Sequence, residues 1–303
     1  MNDAISFREG TTADSYTAFA LFEETFADLA QRMGQTEPTS WADPAEMARM
    51  WEIRRTLYEH LAATADQFWI AEQGDKAVGF ARSIVRGQVR QLTEFFVLPN
   101  VQSANVGREL LARAFPSADR VTNRSIIATT DLRAQARYLK AGVFPRFPIY
   151  YFWRQPEPVV VATDLDFVKA EIGADIAILG DMDEAILGFR RESDHRWLLT
   201  ERQGYIYYRD NQPVGYGYVG ATNGPFALLD GTDYAAVLAQ AESEAAAAGR
   251  EHIGMEVPMV NETAVTYLLQ RGFQMDSFVA YWMCDRPFGK LEKYIITAPP
   301  FFL

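Results

Sequence analysis

The chain has 303 residues, enough for two domains that each bury a core of their own. With 40 acidic against 29 basic side chains its net charge is −11, the wrong sign for nonspecific nucleic-acid binding. A single cysteine rules out an internal disulfide framework, and no apolar run approaches the roughly 18 residues of a membrane span, so a cytoplasmic protein with no nucleic-acid or membrane partner is expected.

Residues 5–8 alternate as a short strand, and Thr11, Thr12 and Asp14 offer caps for a helical pattern over 16–33. Asp43 and Pro44 read as N-cap and first residue of a second helix ending near 63. Strands at 68–71 and 77–81 flank a turn, and a third runs from about 91 to 97. There the stretch 97–111, VLPNVQSANVGRELL, stops an apolar run at Pro99, passes through small and polar residues, and opens a helix over 107–115. A strand at 125–128, a helix over 131–141 and a strand through 149–152 complete this half.

The second half repeats much of the pattern. Residues 205–208 and 214–217 form a second hairpin, an Ala-rich helix covers 234–248, and a strand follows at 252–257. Asn261 then opens a helix that matches the one opened by Asp131; in both an alanine stands three positions on and a glycine closes the helix after eleven. The segment 154–158, RQPEP, reads as the linker between domains 1–155 and 156–303, each of the α+β class with a mixed sheet.

Strand, small-residue turn and helix N-terminus in succession hold an anion well. The first helical N–H groups have no intrahelical acceptor, and the helix dipole adds fractional positive charge. Gly107 lets a ligand approach the main chain, and Arg108 either adds charge to a phosphate or is an ordinary exposed helical arginine. Three histidines and one cysteine lie outside ligand spacings, so no metal site is expected. Cys284 reads as a small buried hydrophobe, and His195, within Asp194-His195-Arg196, as a structural hydrogen-bonding residue.

At these residues the chain resembles the GNAT N-acetyltransferase superfamily. Its signature is an apolar strand often ending Val-x-Pro, then Gln/Arg-x-x-Gly-x-Gly/Ala, and Gln102, Asn105 and Gly107 occupy those places. The twice-repeated Asx-capped helix and the opening Ile5-x-Phe7-Arg8 are similar to further features of the family. The resemblance covers most of the chain and implies two tandem GNAT-like folds. It also implies acetyl-CoA as co-substrate, gripped by Gln102, Ser103, Ala104, Asn105, Val106, Gly107 and Arg108, with Val97 and Asp131 alongside. Asn105 departs from the family's glycine, but asparagine tolerates the left-handed backbone better than other side chains.

The resemblance further implies an N-acetyltransferase in which an amine of a small molecule or peptide attacks the thioester directly in a ternary complex. The family often places a tyrosine seven residues after the Asx cap, here Tyr138, where it protonates the departing thiolate; the other reading is a packed tyrosine. Glu94 is either the base for the acceptor amine or a solvated sheet residue, with alternation placing it on the face of Phe96. The amide near Val97 is the expected carbonyl stabiliser, and Trp41 an acceptor-site residue. In the second half Leu268 replaces the tyrosine, and the loop at 224–233 lacks the phosphate motif. Its Asp233 is expected to cap the helix and repel phosphate, so this half is structural or shapes the acceptor site. The apolar ending 298–303 either brings the Leu303 carboxylate to the acceptor amine or covers core. The competing function is a non-catalytic, CoA-binding regulatory protein.

Overall fold

The computed structural model describes residues 4–32, 42–101, 105–117 and 121–303. They form two compact units, one drawn from residues 1–124 and 131–142, the other from 125–130 and 143–303. Trp41, Gln102, Ser103 and Ala104 lie outside the described residues. No described helix is long and apolar enough to cross a membrane.

In the first unit β1 (Ile5–Glu9), β2 (Ala65–Gln73), β3 (Lys76–Arg86) and β4 (Val89–Val97) run as an antiparallel sheet in that order. The entry to α1 (Ser15–Arg32) is set by Asp14, whose carboxylate accepts the Thr11 N–H at 2.8 Å. Helix α2 (Pro44–Ala63) starts where Asp43 accepts the Ala45 N–H at 2.9 Å, with proline as the first helical residue. Alternation along β4 sends successive side chains to opposite faces. Phe96 meets Phe22 of α1 at 5.1 Å between ring centres, whereas Phe95 meets Tyr138 of α4 (Leu132–Lys140) at 6.2 Å. Gly79 is required by close packing of β3 on β4, since a Cβ there would stand 2.9 Å from the Phe96 carbonyl oxygen. Its counterpart Gly215 in the second half would meet the Ala227 carbonyl oxygen at 2.5 Å.

The second unit begins with most of β5 (Asn123–Thr129) and takes in β6 (Phe144–Arg154), β7 (Asp166–Lys169), α5 (Ile176–Leu187) and α6 (Glu192–Glu201). It continues through β8 (Gln203–Arg209), β9 (Gln212–Val219), β10 (Phe226–Leu228), α7 (Tyr234–Ala247), β11 (Ile253–Pro258) and α8 (Glu262–Gln270), ending with β12 (Gln274–Cys284) and β13 (Tyr294–Ile295). One sheet has the order β7-β8-β9-β10-β13. In the other run of strands, β5-β12-β6-β11, the long final strands of the two halves have changed places. Strand β12 stands between β5 and β6, and β6 stands between β12 and β11, with Ile149 opposite Ala280 in the central pair. Phe152 of β6 therefore joins one core with Val237 and Ala241 of α7 and Leu268 of α8. The segment 143–155, which closes the first half in sequence, packs with residues of the second.

The same unit also encloses the end of the described chain. Tyr294 and Ile295 pair with Ala227 and Phe226 of β10, and the Ile296 N–H bonds the Glu256 carbonyl of β11 at 3.1 Å. Segment 294–296 thus stands between β10 and β11, the counterparts by chain order of β4 and β5. Beyond it, Arg202 donates to Thr297 Oγ1 at 2.8 Å and to the Ala298 carbonyl at 2.6 Å.

Candidate functional site

A strand end and a helix start stand where the stretch 97–111 predicts them, in the first unit. β4 ends at Val97, where Leu98 N–H still bonds the Val78 carbonyl at 2.9 Å, and α3 (Val106–Ala114) starts after Asn105. Asn105 has φ 61° and ψ 5°, the left-handed conformation expected of a residue standing in for glycine. Its carbonyl accepts the Glu109 N–H at 3.1 Å, and its side chain does not cap the helix. The N–H groups of Val106, Gly107 and Arg108 accordingly have no acceptor within α3. Gly107 is buried, and a Cβ on it would lie 3.2 Å from Phe95 Cζ and 3.5 Å from Arg137 Nε. The missing side chain thus makes room for a ring and a guanidinium of the protein itself. Arg108 is exposed and only loosely paired with Glu109, at 3.5 Å.

Across from this helix start, α4 carries Tyr138 with its ring against Phe95. Tyr138 is buried, and its hydroxyl bonds no other group among the described residues. Burial first, and then the nearby charge of Asp131, hold the phenol protonated well beyond its ordinary range. Asp131 is the N-cap of α4, accepting the Arg133 N–H at 2.8 Å, and it also pairs with Arg32 at 3.2 Å. Burial acts to raise its pKa, but the Arg133 N–H and the two guanidiniums outweigh that and keep the carboxyl below its usual range.

Glu94 is not the solvated residue that was one of its two readings. It is fully buried and ion-paired with Arg82, its register partner on β3, whose Nε donates to Oε2 at 2.6 Å. Oε1 has no hydrogen-bond partner among the described residues. Burial raises the proton affinity of this carboxyl, and Arg82 offsets only part of the rise. The cluster extends into α2 and α1. Arg82 lies over the Tyr58 ring at 5.6 Å, and Arg54, one turn before Tyr58, pairs with Glu23 at 3.0 Å.

The sequence model described as an acetyltransferase (GNAT) domain matches residues 43–144, which include α2, β4, α3 and α4. Among solved structures, a provisionally named acetyltransferase from Pyrococcus horikoshii superposes with a TM-score of 0.68 at 14% identity, over 96% of this chain and 92% of its own. A tandem GNAT protein from the clavulanic acid biosynthesis pathway superposes with a TM-score of 0.59 at 12% identity, over 94% and 99%. The chain has the fold of a tandem GNAT protein. A GCN5-related N-acetyltransferase from Sphaerobacter thermophilus has the same fold, with a TM-score of 0.57 at 15% identity over 95% and 98%. No curated protein sequence matches the chain.

Within this tandem fold the two halves share a constellation that sequence patterning missed. Asp183 of α5 pairs at 2.6 Å with Arg191, which precedes His195 by four residues, as Arg54 precedes Tyr58. His195 bridges Asp183 Oδ2 and the Tyr218 hydroxyl, both at 2.8 Å, and Tyr218 holds the place on β9 that Arg82 holds on β3. Arg191 also donates to the hydroxyls of Tyr216 at 2.8 Å and Tyr294 at 2.6 Å, and to the main-chain oxygen of Leu303. Leu303 is buried there, with its main-chain oxygen committed to Arg191. His195 thus has the structural role expected of it, and Cys284 is buried and free of a disulfide.

The second half also differs at its helix start. Asp233 does not cap α7; its carboxylate pairs with Arg209 at 2.7 Å, while Asp230 accepts the Thr232 N–H at 2.9 Å. The expectation of a cap at Asp233 fails because the chain makes a short 3-10 turn at Gly231–Asp233 before the α-helix. An arginine-paired carboxylate and an Asx turn leave that helix start unsuited to a phosphate.

Proposed function

We propose that the first half is an N-acetyltransferase domain that moves the acetyl group of acetyl-CoA to a primary amine by direct attack in a ternary complex. The observation that carries this reading is the pairing of an α3 N-terminus that the Asn105 side chain leaves uncapped with a buried Tyr138 across the Phe95 ring, the Tyr138 hydroxyl bonding nothing among the described residues. Val106, Gly107 and Arg108 present main-chain donors where a diphosphate binds, and Val97 and Asn105 bound the turn. A thiolate leaving from the thioester takes the Tyr138 proton as charge develops on sulfur.

Glu94 is the proposed acceptor of the amine's surplus proton. Its unpartnered Oε1 and raised proton affinity support that role, since a base is most effective with a pKa near the working pH. A base acts only when ionised, so the rate should rise with pH through the raised pKa of Glu94. Glu94→Gln should abolish that limb and lower kcat by about 10²-fold without changing acetyl-CoA affinity. A pH profile unaltered by the substitution rules the assignment out.

The second half, with segment 294–296 set between β10 and β11, is read as structural. Calorimetry with acetyl-CoA, followed by thiol release against a panel of primary amines, tests the whole reading. Binding and amine-dependent release are expected. Absence of binding refutes it, and binding with no release for any amine leaves the regulatory alternative standing instead.

A further inference from the structure

The α4 helix holds a second charged group at the α3 start, one the sequence did not single out. Arg137 directly precedes Tyr138, and its Nε and Cζ lie 3.5 and 3.7 Å from the position a Cβ would take on Gly107. The guanidinium therefore lies beside the first turn of α3, whose N–H groups have no acceptor within the helix. Among the described residues its only hydrogen bond is to the Arg133 carbonyl, at 3.1 Å. Every other arginine nearby faces a carboxylate: Arg133 and Arg32 meet Asp131, and Arg108 and Arg113 meet Glu109. Arg137 meets none among the described residues. A half-buried guanidinium with no counter-ion among the described residues, beside a helix start that the Asn105 side chain leaves uncapped, is an arrangement that a dianion completes.

We propose that Arg137 binds the diphosphate of the acyl-CoA co-substrate, acting with the main-chain donors of α3; this rests on the acetyltransferase reading above. The planar guanidinium donates two parallel N–H bonds to phosphoryl oxygens, and the helix start supplies the remainder. Gly107 is then needed twice, to expose the main chain and to seat the arginine.

The test is calorimetry of wild type, Arg137→Gln, Arg137→Lys and, as a control, Arg133→Gln, with CoA, 3′-dephospho-CoA and pantetheine as probes. Arg137→Gln should weaken CoA and 3′-dephospho-CoA alike, by roughly 10- to 100-fold, and leave pantetheine unchanged. Arg137→Lys should recover part of the loss, and Arg133→Gln should bind as wild type does. Equal CoA affinity in wild type and Arg137→Gln overturns the proposal while leaving the acetyltransferase reading intact. A loss confined to CoA, with 3′-dephospho-CoA unaffected, moves the contact to the 3′-phosphate and likewise overturns it. Equal weakening of pantetheine shows a packing defect and does the same. Failure of wild type to bind CoA refutes both readings together.

Discussion

Tyr138→Phe is expected to slow amine-dependent thiol release by about 10²- to 10³-fold while acetyl-CoA binds with wild-type affinity. The substitution deletes one oxygen and keeps the ring that packs on Phe95. That hydroxyl bonds nothing among the described residues, so its removal strands no buried partner there, and stability should hardly change. The two halves of the prediction matter together. A merely packed tyrosine would give normal release, whereas a structural defect would lower binding and melting temperature along with rate. Normal turnover in a fully folded Tyr138→Phe protein removes the acid from the mechanism.

The largest effect on stability is expected at Arg191. This guanidinium is buried with Asp183, Tyr216, Tyr294 and the Leu303 main-chain oxygen around it. Burial works against the charge of Asp183, but Arg191 and His195 outweigh it and keep the carboxyl below its ordinary range. Arg191→Met would leave that carboxylate enclosed without its cation, which costs about 3–5 kcal/mol. Denaturant unfolding at neutral pH should show the loss as a lower midpoint. The equivalent Arg54→Met should cost less, about 2 kcal/mol, because the arginine it removes is already 27% exposed, while the Glu23 carboxylate it leaves is 9% exposed. A loss below about 1 kcal/mol at Arg191 would mean that its network is not a stabilising element.

The sequence disclosed most of the first half because its signals are local. Asp43-Pro44 starts α2 where a cap and a proline predict it, and Asn105 adopts the left-handed turn that its side chain tolerates. The second half was legible where it repeats the first, at the β8–β9 hairpin and at α7, β11 and α8. It was not legible at α5, whose sequence IAILGDMDEAIL is apolar on several sides and shows no clean stripe. Strand β12 escaped for a different reason: its partners β5 and β6 lie more than a hundred residues earlier, and pairing at that range leaves no mark on local pattern. The chemistry followed the same division. The Tyr138 and Gly107 positions come from motif spacing, whereas the Glu94–Arg82 pair and the approach of Arg137 to Gly107 exist only once strands and helices are packed.

The reciprocal placement of β6 and β12 has a consequence for the protein's history and for its handling. Each repeat lends the wall of its neighbour a plank, so a polypeptide stopping at the linker would carry β6 bare along both flanks, an 11-residue ribbon open to strangers. The repeats are therefore obligate lodgers in one another's architecture. A separated pair would recover only by fragment complementation, and selection acting on either repeat acts on the other as well.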